Sequence, residues 1–178
     1  MTTATPVPRI LIVEPNPTSL KVIARRLGEA GYKVSQCERA PLAIGEMRLQ
    51  PIELVIAELT MAAMSGIDLV RMIRDESGLA DVPVILIAGR SERTKAIAAF
   101  AAGADDVMFK PFDSELLAAR AARLIERAHA LRALQDDMVA LDARVTLRAV
   151  EVGELKDRLA GYQQAGAVSA TGQGQRRQ

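Results

Sequence analysis

The sequence lacks tryptophan, has one cysteine and one histidine, and draws only 3% of its 178 residues from aromatic types. Because Cys37 is the only cysteine, an internal disulfide bond and any metal site built from several cysteines are excluded. The formal net charge is +1, from 23 basic and 22 acidic residues, and gives no electrostatic reason to expect nucleic acid or membrane binding. No run of about 18 apolar residues occurs, and MTTATPVPR does not resemble a signal peptide, so we expect a soluble, cytoplasmic protein.

The apolar content of 49% is sufficient for an aliphatic core. Short runs rich in Val, Ile and Leu, without clean alternation, are typical of parallel strands that are covered on both faces. These runs predict strands at 9–14, 53–57, 83–88 and 105–109, with a weaker strand at Lys33–Cys37.

Segments with helical spacing of apolar residues lie between the predicted strands. They predict helices at 18–30, 41–49, 66–76 and 92–102, with Gly31 and Gly103 as stop signals. The repeated alternation of strand and helix favours a doubly wound, five-stranded parallel sheet. Functional groups collect beyond the carboxyl ends of the strands in such sheets. Glu14, Glu58, Ala88 and Lys110 are expected there.

The remainder of the chain has a different pattern. Apolar residues recur every seven positions from Leu117, and 117–130, rich in Ala and Leu, should pack partly on the sheet. From Leu131 a second apolar set follows three residues after the first, which predicts a coiled coil over 129–162. The predicted dimerisation residues are Leu131, Leu134, Met138, Leu141, Val145, Val152, Leu155 and Leu159.

The charges that flank this apolar seam leave the orientation of the coiled coil open. Glu151 and Lys156 suit a parallel pair, whereas Asp137 and Asp142 would repel each other in the same arrangement. A parallel homodimer is preferred, and Arg148 weakens the core of a two-stranded coiled coil. The predicted organisation is therefore disorder at 1–8, a domain at 9–128, the coiled coil at 129–162 and a disordered tail at 163–178.

Four segments, ILIVEPNP, ELVIAELTMAAMSG, VPVILIAG and GADDVMFKPF, occur in order with characteristic spacing. On these segments the chain from about residue 9 to 128 resembles the receiver domain of bacterial two-component response regulators. The last segment, with Lys110-Pro111-Phe112 after a strand, is the most specific. The resemblance implies the flavodoxin-like receiver fold and a role in signal transduction.

The resemblance also implies a phosphorylation pocket, and several of its positions differ here. Glu58 stands in place of the phosphoacceptor aspartate, and its extra methylene displaces the carboxylate by roughly 1.5 Å. The two acids that hold Mg²⁺ correspond to Glu14 and Pro15, and proline has no side-chain oxygen; Asn16 is a poorer substitute. Ala88 stands in place of the hydroxyl residue that binds the phosphoryl group.

Two further positions complete the comparison with receivers. Val107 replaces the aromatic residue that turns inward after phosphorylation, and Lys110 is unchanged. Glu58 is interpreted either as a fixed negative charge that reaches Lys110, standing in for a phosphoaspartate, or as an acid tolerated in a disused pocket.

The predicted function is a non-enzymatic signalling adaptor with a degenerate, phosphorylation-independent receiver, without cofactor or metal. It is expected to dimerise through the coiled coil and to dock another signalling protein, by the faces around its fourth and fifth helices, rather than DNA or a membrane. One alternative is a receiver that a histidine kinase still phosphorylates atypically. The other is a domain that senses a small anion or a nucleotide.

Two features of the last helix admit functional interpretations but favour ordinary ones. His129 falls on the predicted outer face of the helix and is interpreted as an exposed histidine, not as a phosphotransfer residue. The arginines of this helix are interpreted as a solvated face and not as a site for anions; they are Arg120, Arg123, Arg127 and Arg132.

Overall fold

The structure, a computed structural model, describes the backbone of residues 7–172 and the side chains of residues 7–159. The predicted disorder at 1–6 and 173–178 lies outside the described residues. The chain divides into two compact units, Met1–Ala130 and Leu131–Gln178.

The first unit contains a five-stranded parallel sheet with the order β2-β1-β3-β4-β5. The predicted doubly wound α/β fold is thereby confirmed. Each strand begins or ends within one residue of its predicted bounds, because the apolar runs are buried on both faces. The strands are β1 Arg9–Val13, β2 Lys33–Cys37, β3 Leu54–Glu58, β4 Val84–Ala88 and β5 Asp106–Phe109.

Five α-helices and one short 3₁₀ helix connect or follow the strands in the described chain. Gly31 and Gly103 have φ angles of +93° and +102°, which explains why the two helices before them end there. The helices are α1 Pro17–Glu29, α2 Ala40–Leu49, α3 Gly66–Asp75, α4 Arg93–Ala101 and α5 Ser114–Gly172, with the 3₁₀ helix at Arg90–Glu92 before α4.

The core lies on both faces of the sheet. One buried cluster joins the sheet to α2, α3 and α4, and the other joins it to α1 and the beginning of α5. Leu117, Ala121 and Ile125 of α5 are at most 4% exposed, so the first part of this helix packs on the sheet as predicted. These two layers hold the strand ends in fixed relative positions.

The second unit is the continuation of α5. The helix extends to Gly172, beyond the segment 129–162 that is predicted to form the coiled coil. The exposed fractions of the eight predicted seam residues lie between 49% and 72% in the single chain. These side chains therefore have no intramolecular cover in the described structure.

Candidate functional site

The carboxyl ends of β1, β3 and β5 bring three charged side chains together. Lys110 Nζ donates to Glu58 Oε2 at 2.6 Å and to Glu14 Oε2 at 3.1 Å. The Glu14 and Glu58 side chains are 5% and 13% exposed, and the Lys110 side chain is 37% exposed. Two carboxylates that are nearly withdrawn from water thus share one ammonium group. Its Nζ is the only basic group that reaches them in the described chain.

The second oxygen of Glu14 is also occupied. Glu14 Oε1 accepts the backbone N–H of Asn16 at 2.9 Å. The side chain of Asn16 caps α1, because its Oδ1 accepts the N–H groups of Thr18 and Ser19 at 2.9 and 3.0 Å. Asn16, which the sequence offers as a possible metal ligand, therefore serves as the N-cap of α1.

The donor set does not fit the magnesium ion that a receiver pocket implies. Mg²⁺ requires an octahedral set of oxygen ligands. Glu14 has both oxygens engaged, Glu58 is bonded to Lys110, and Pro15 offers no side-chain oxygen. Among the described residues, no group of three or more His, Cys, Asp or Glu side chains is arranged to hold a metal ion.

Burial and mutual charge explain the titration of this cluster. Burial raises the pKa of Glu58, and the neighbouring charge of Glu14 adds to this, while the hydrogen bond from Lys110 only partly opposes it. Burial lowers the pKa of Lys110, but its bonds to Glu58 and Glu14 outweigh burial and leave that pKa raised. The pKa of Glu58 is thus raised chiefly by burial, whereas that of Lys110 is raised by its two carboxylate partners.

The remaining residues of the predicted pocket contribute no polar group. Ala88 is fully buried at the end of β4, and Val107 is buried within β5. Pro15 is exposed in the turn before α1. The structure thus places five of the six predicted residues at the carboxyl end of the sheet and Val107 within β5. Only Glu14, Glu58 and Lys110 are joined through polar contacts.

A second polar cluster at this edge was not predicted from the sequence. Glu92 Oε2 accepts the backbone N–H of Gly89 at 2.8 Å, and Glu92 Oε1 accepts from the Thr60 hydroxyl and from Lys95 Nζ, the latter at 3.0 Å. The hydrogen bond from Thr60 is the main reason that the pKa of Glu92 is lowered. Glu92 therefore joins the loop after β3 to the start of α4. Thr60 and Glu92 are far apart in sequence, so no local signal identifies the pair.

Of the two expectations for the last helix, one holds and one needs correction. His129 is exposed, as predicted, and its ring also contacts Glu53. Arg120 Nη1 donates to both carboxylate oxygens of Asp106, at 2.8 and 2.7 Å, so this arginine is held by β5 and is not part of a solvated face. Both contacts join α5 to the sheet.

A cavity of about 520 Å³ lies between α1 and the beginning of α5. Its wall is mainly apolar, and Lys110 is part of it, so it adjoins the charged cluster. The other lining residues are Thr18, Ser19, Val22, Ile23, Arg26, Leu27, Pro111, Phe112, Ser114 and Leu117.

Comparison with solved structures supports the fold. The signal receiver domain of a signal transduction histidine kinase from Syntrophus aciditrophicus superimposes with a TM-score of 0.63 at 30% identity, covering 67% of this chain and 91% of that chain. A response regulator receiver domain protein from Clostridium thermocellum gives 0.65 at 26% identity, over 70% and 99% of the two chains. None of the described helices is long and apolar enough to cross a membrane.

Sequence comparison identifies the family. The transcriptional regulatory protein AruR of Pseudomonas aeruginosa is 35% identical over 126 residues, and the cell cycle transcriptional regulator CtrA of Caulobacter vibrioides is 29% identical over 157. The matches cover 68% and 86% of this chain, but only 50% and 65% of those regulators. A family model for the response regulator receiver domain matches residues 10–122. The chain therefore belongs to the receiver domain family of two-component response regulators.

Proposed function

We propose that this chain is a non-catalytic signalling adaptor whose receiver domain holds one conformation without phosphorylation and whose tail forms a coiled-coil homodimer. The contact of Lys110 with Glu58 and Glu14 is the main support for a receiver domain that holds one conformation. The Glu58 carboxylate accepts a hydrogen bond from Lys110, the lysine that would otherwise contact a phosphoryl group. The sequence differences at Pro15 and Ala88 support the same interpretation, since neither side chain can bind metal or phosphate.

Phosphoryl transfer depends on accurate positioning and on a metal ion that neutralises charge. At this site the Glu58 oxygen is hydrogen-bonded to Lys110, and the described residues contain no cluster of three or more His, Cys, Asp or Glu side chains that could hold a metal ion. A conformational switch also requires a ligand that contacts its two states differently. Ala88 and Val107 offer no group for such a contact, so we infer a constant shape that recruits partners.

The docking surface of the adaptor is proposed to include α4. Ile97 and Phe100 on this helix are 77% and 51% exposed, and the Arg93 guanidinium lies 5.8 Å from the centroid of the Phe109 ring. Exposed apolar side chains beside a cation suit a protein partner more than DNA. We therefore propose another signalling protein as the partner of this face.

Incubation with Mg²⁺ and acetyl phosphate is expected to leave the intact mass of the protein unchanged. The physical reason is the missing metal ligand together with the displaced acceptor oxygen. Intact-protein mass spectrometry at short incubation times is the measurement, accompanied by heteronuclear NMR spectra with and without beryllium fluoride.

The matched control restores the missing groups in one variant, Pro15→Asp/Glu58→Asp/Ala88→Thr. This triple variant is expected to acquire a phosphoryl group under the same conditions, which shows that the donor and the metal are active. Phosphorylation of the unaltered chain on Glu58, with shifted NMR resonances, would falsify the proposal.

The unaltered chain is expected to be a dimer at tens of micromolar in size-exclusion chromatography with multi-angle light scattering. Leu141→Asp places a charge in the apolar seam and should give a monomer. Leu147→Asp is the matched control, since Leu147 is similarly exposed but lies off the seam and should leave the dimer intact. A monomeric unaltered chain would remove the coiled coil from the proposed function.

A further inference from the structure

We infer that the tail pairs with a second copy in antiparallel orientation, in the one register that places Met138 opposite Leu155. This inference rests on the proposed coiled coil and specifies its geometry. It departs from the parallel arrangement that Glu151 and Lys156 suggested, because the complete set of flanking charges favours the opposite orientation. The described tail offers an apolar seam, exposed in the single chain, and charged residues beside it from Asp137 to Arg158.

The antiparallel register has its two-fold axis between Thr146 and Leu147. With Leu131 at position a of the heptad and Leu134 at position d, position a of one helix then faces position d of the other, as antiparallel packing requires. The apolar seam is used from Leu134 to Leu159. Each layer occurs twice by symmetry. The layers are Leu134 with Leu159, Met138 with Leu155, Leu141 with Val152, and Val145 with Arg148.

Four charged residues at position g, which is the position directly before a, determine which register is favoured. They alternate in sign along the helix: Asp137, Arg144, Glu151 and Arg158. Position g faces position g of the second copy in an antiparallel pair. Asp137 therefore meets Arg158 of the second copy, and Arg144 meets Glu151, so symmetry gives four attractive contacts and no repulsive one. Flanking charges of this kind select the orientation and register of coiled coils.

Shifting one helix by seven residues relative to the other, in either direction, replaces these attractive contacts by repulsive ones. In one direction Arg144 faces Arg144 of the second copy, and Asp137 faces Glu151. In the other direction Glu151 faces Glu151, and Arg144 faces Arg158. Every contact between two of these four charged residues is then a contact between like charges, so the charge pattern discriminates against the neighbouring registers.

The parallel arrangement is also less favourable. It contains the attractive contact between Glu151 and Lys156, but also the repulsive contact between Asp137 and Asp142. It further places Arg148 directly opposite Arg148 of the second copy within the core. In the antiparallel register Arg148 faces Val145 instead, and its guanidinium can reach Glu151 three residues along its own helix.

Charge reversal distinguishes the two orientations. Arg144→Glu is expected to raise the dimer dissociation constant roughly tenfold at low salt, because it creates two repulsive contacts with Glu151. Adding Glu151→Arg should restore the original dissociation constant. In a parallel dimer Arg144 faces Ala149, so the single variant would have little effect, and the double variant would bind more weakly because arginine at 151 would face Lys156. Sedimentation equilibrium at low and high salt measures both.

Disulfide cross-linking provides the second readout. A mixture of Met138→Cys and Leu155→Cys chains should form a mixed disulfide under mild oxidation, whereas Met138→Cys alone should not cross-link, since its two copies lie far apart. Efficient cross-linking of Met138→Cys alone would overturn the antiparallel inference and leave the dimer in place. A monomer by light scattering would instead overturn the proposed coiled coil itself, so the two failures are distinguishable.

Discussion

Replacing Lys110 with methionine is expected to lower the free energy of unfolding by about 3 kcal/mol at neutral pH. Methionine keeps most of the aliphatic stem but leaves Glu14 and Glu58 without their shared cation. Removal of one partner from a buried ion pair is costly because the other charge remains desolvated. The value is at the lower end of the usual range because a third of the Lys110 side chain is exposed to solvent. Urea denaturation followed by circular dichroism measures it.

The loss is expected to depend on pH. The pKa of Glu58 is already raised by burial, and without Lys110 it should rise further. A group with a raised pKa in the folded state stabilises the fold below its ordinary pKa and loses this contribution as the pH rises through the folded value. The variant should therefore approach the stability of the unaltered protein as the pH falls through the carboxylate range. At neutral pH, well above the ordinary pKa of a carboxyl group, the difference should be largest.

Lys95→Met is the matched control for this variant. Lys95 also donates to a carboxylate, that of Glu92, but its side chain is half exposed, so its loss should cost less than about 1 kcal/mol. Lys110→Met/Glu58→Gln should recover part of the stability, because one unpaired charge is removed. Equal unfolding midpoints for the Lys95 and Lys110 variants, or a loss that is constant with pH, would contradict the shared-cation interpretation.

The fold follows from the sequence because its signals are local. Short, continuous apolar runs such as Val84–Ala88 are typical of buried parallel strands, and Gly31 and Gly103 mark the helix ends. Glu58 and Lys110 were assigned to one site because parallel strands end at the same edge of the sheet. Topology alone therefore places the charged cluster, before any distance is known.

The contacts that sequence analysis did not identify join residues distant in the chain through loop geometry. Glu92 and Thr60, or His129 and Glu53, have no spacing that distinguishes them from other polar residues. The sequence offers Asn16 as a poor metal ligand, although an asparagine directly before Pro17 at a helix start is also typical of an N-cap. The apolar seam of the tail is a different case, because the second copy that is proposed to cover it lies outside the single chain. Only the pattern of charged residues beside the seam indicates the orientation of that second copy.

Gly66→Ala is expected to lower the free energy of unfolding by about 3 kcal/mol, although it adds a single methyl group. A Cβ at this position would lie 2.5 Å from the carbonyl oxygen of Glu58, 2.9 Å from Leu86 Cδ2 and 3.1 Å from Leu59 Cα. Two of these three neighbours are backbone atoms, which cannot rotate away. The Gly66 N–H also donates to the Leu59 carbonyl oxygen at 2.8 Å, so the loop cannot move outward without losing this bond.

Gly45→Ala gives the opposite expectation and serves as the control. Gly45 lies within α2, where a Cβ meets nothing within 4 Å, so alanine should stabilise the helix by about 0.5–1 kcal/mol. The effect of a Gly→Ala substitution on the free energy of unfolding should thus have opposite signs at these two positions of one domain. The displacement in Gly66→Ala falls on the last residue of β3, so it should also disturb the contact of Glu58 with Lys110 and weaken the pH dependence described for that pair. Urea denaturation of both variants at two pH values tests this coupling, and a tolerated alanine at position 66 would show that the loop after β3 can yield without cost.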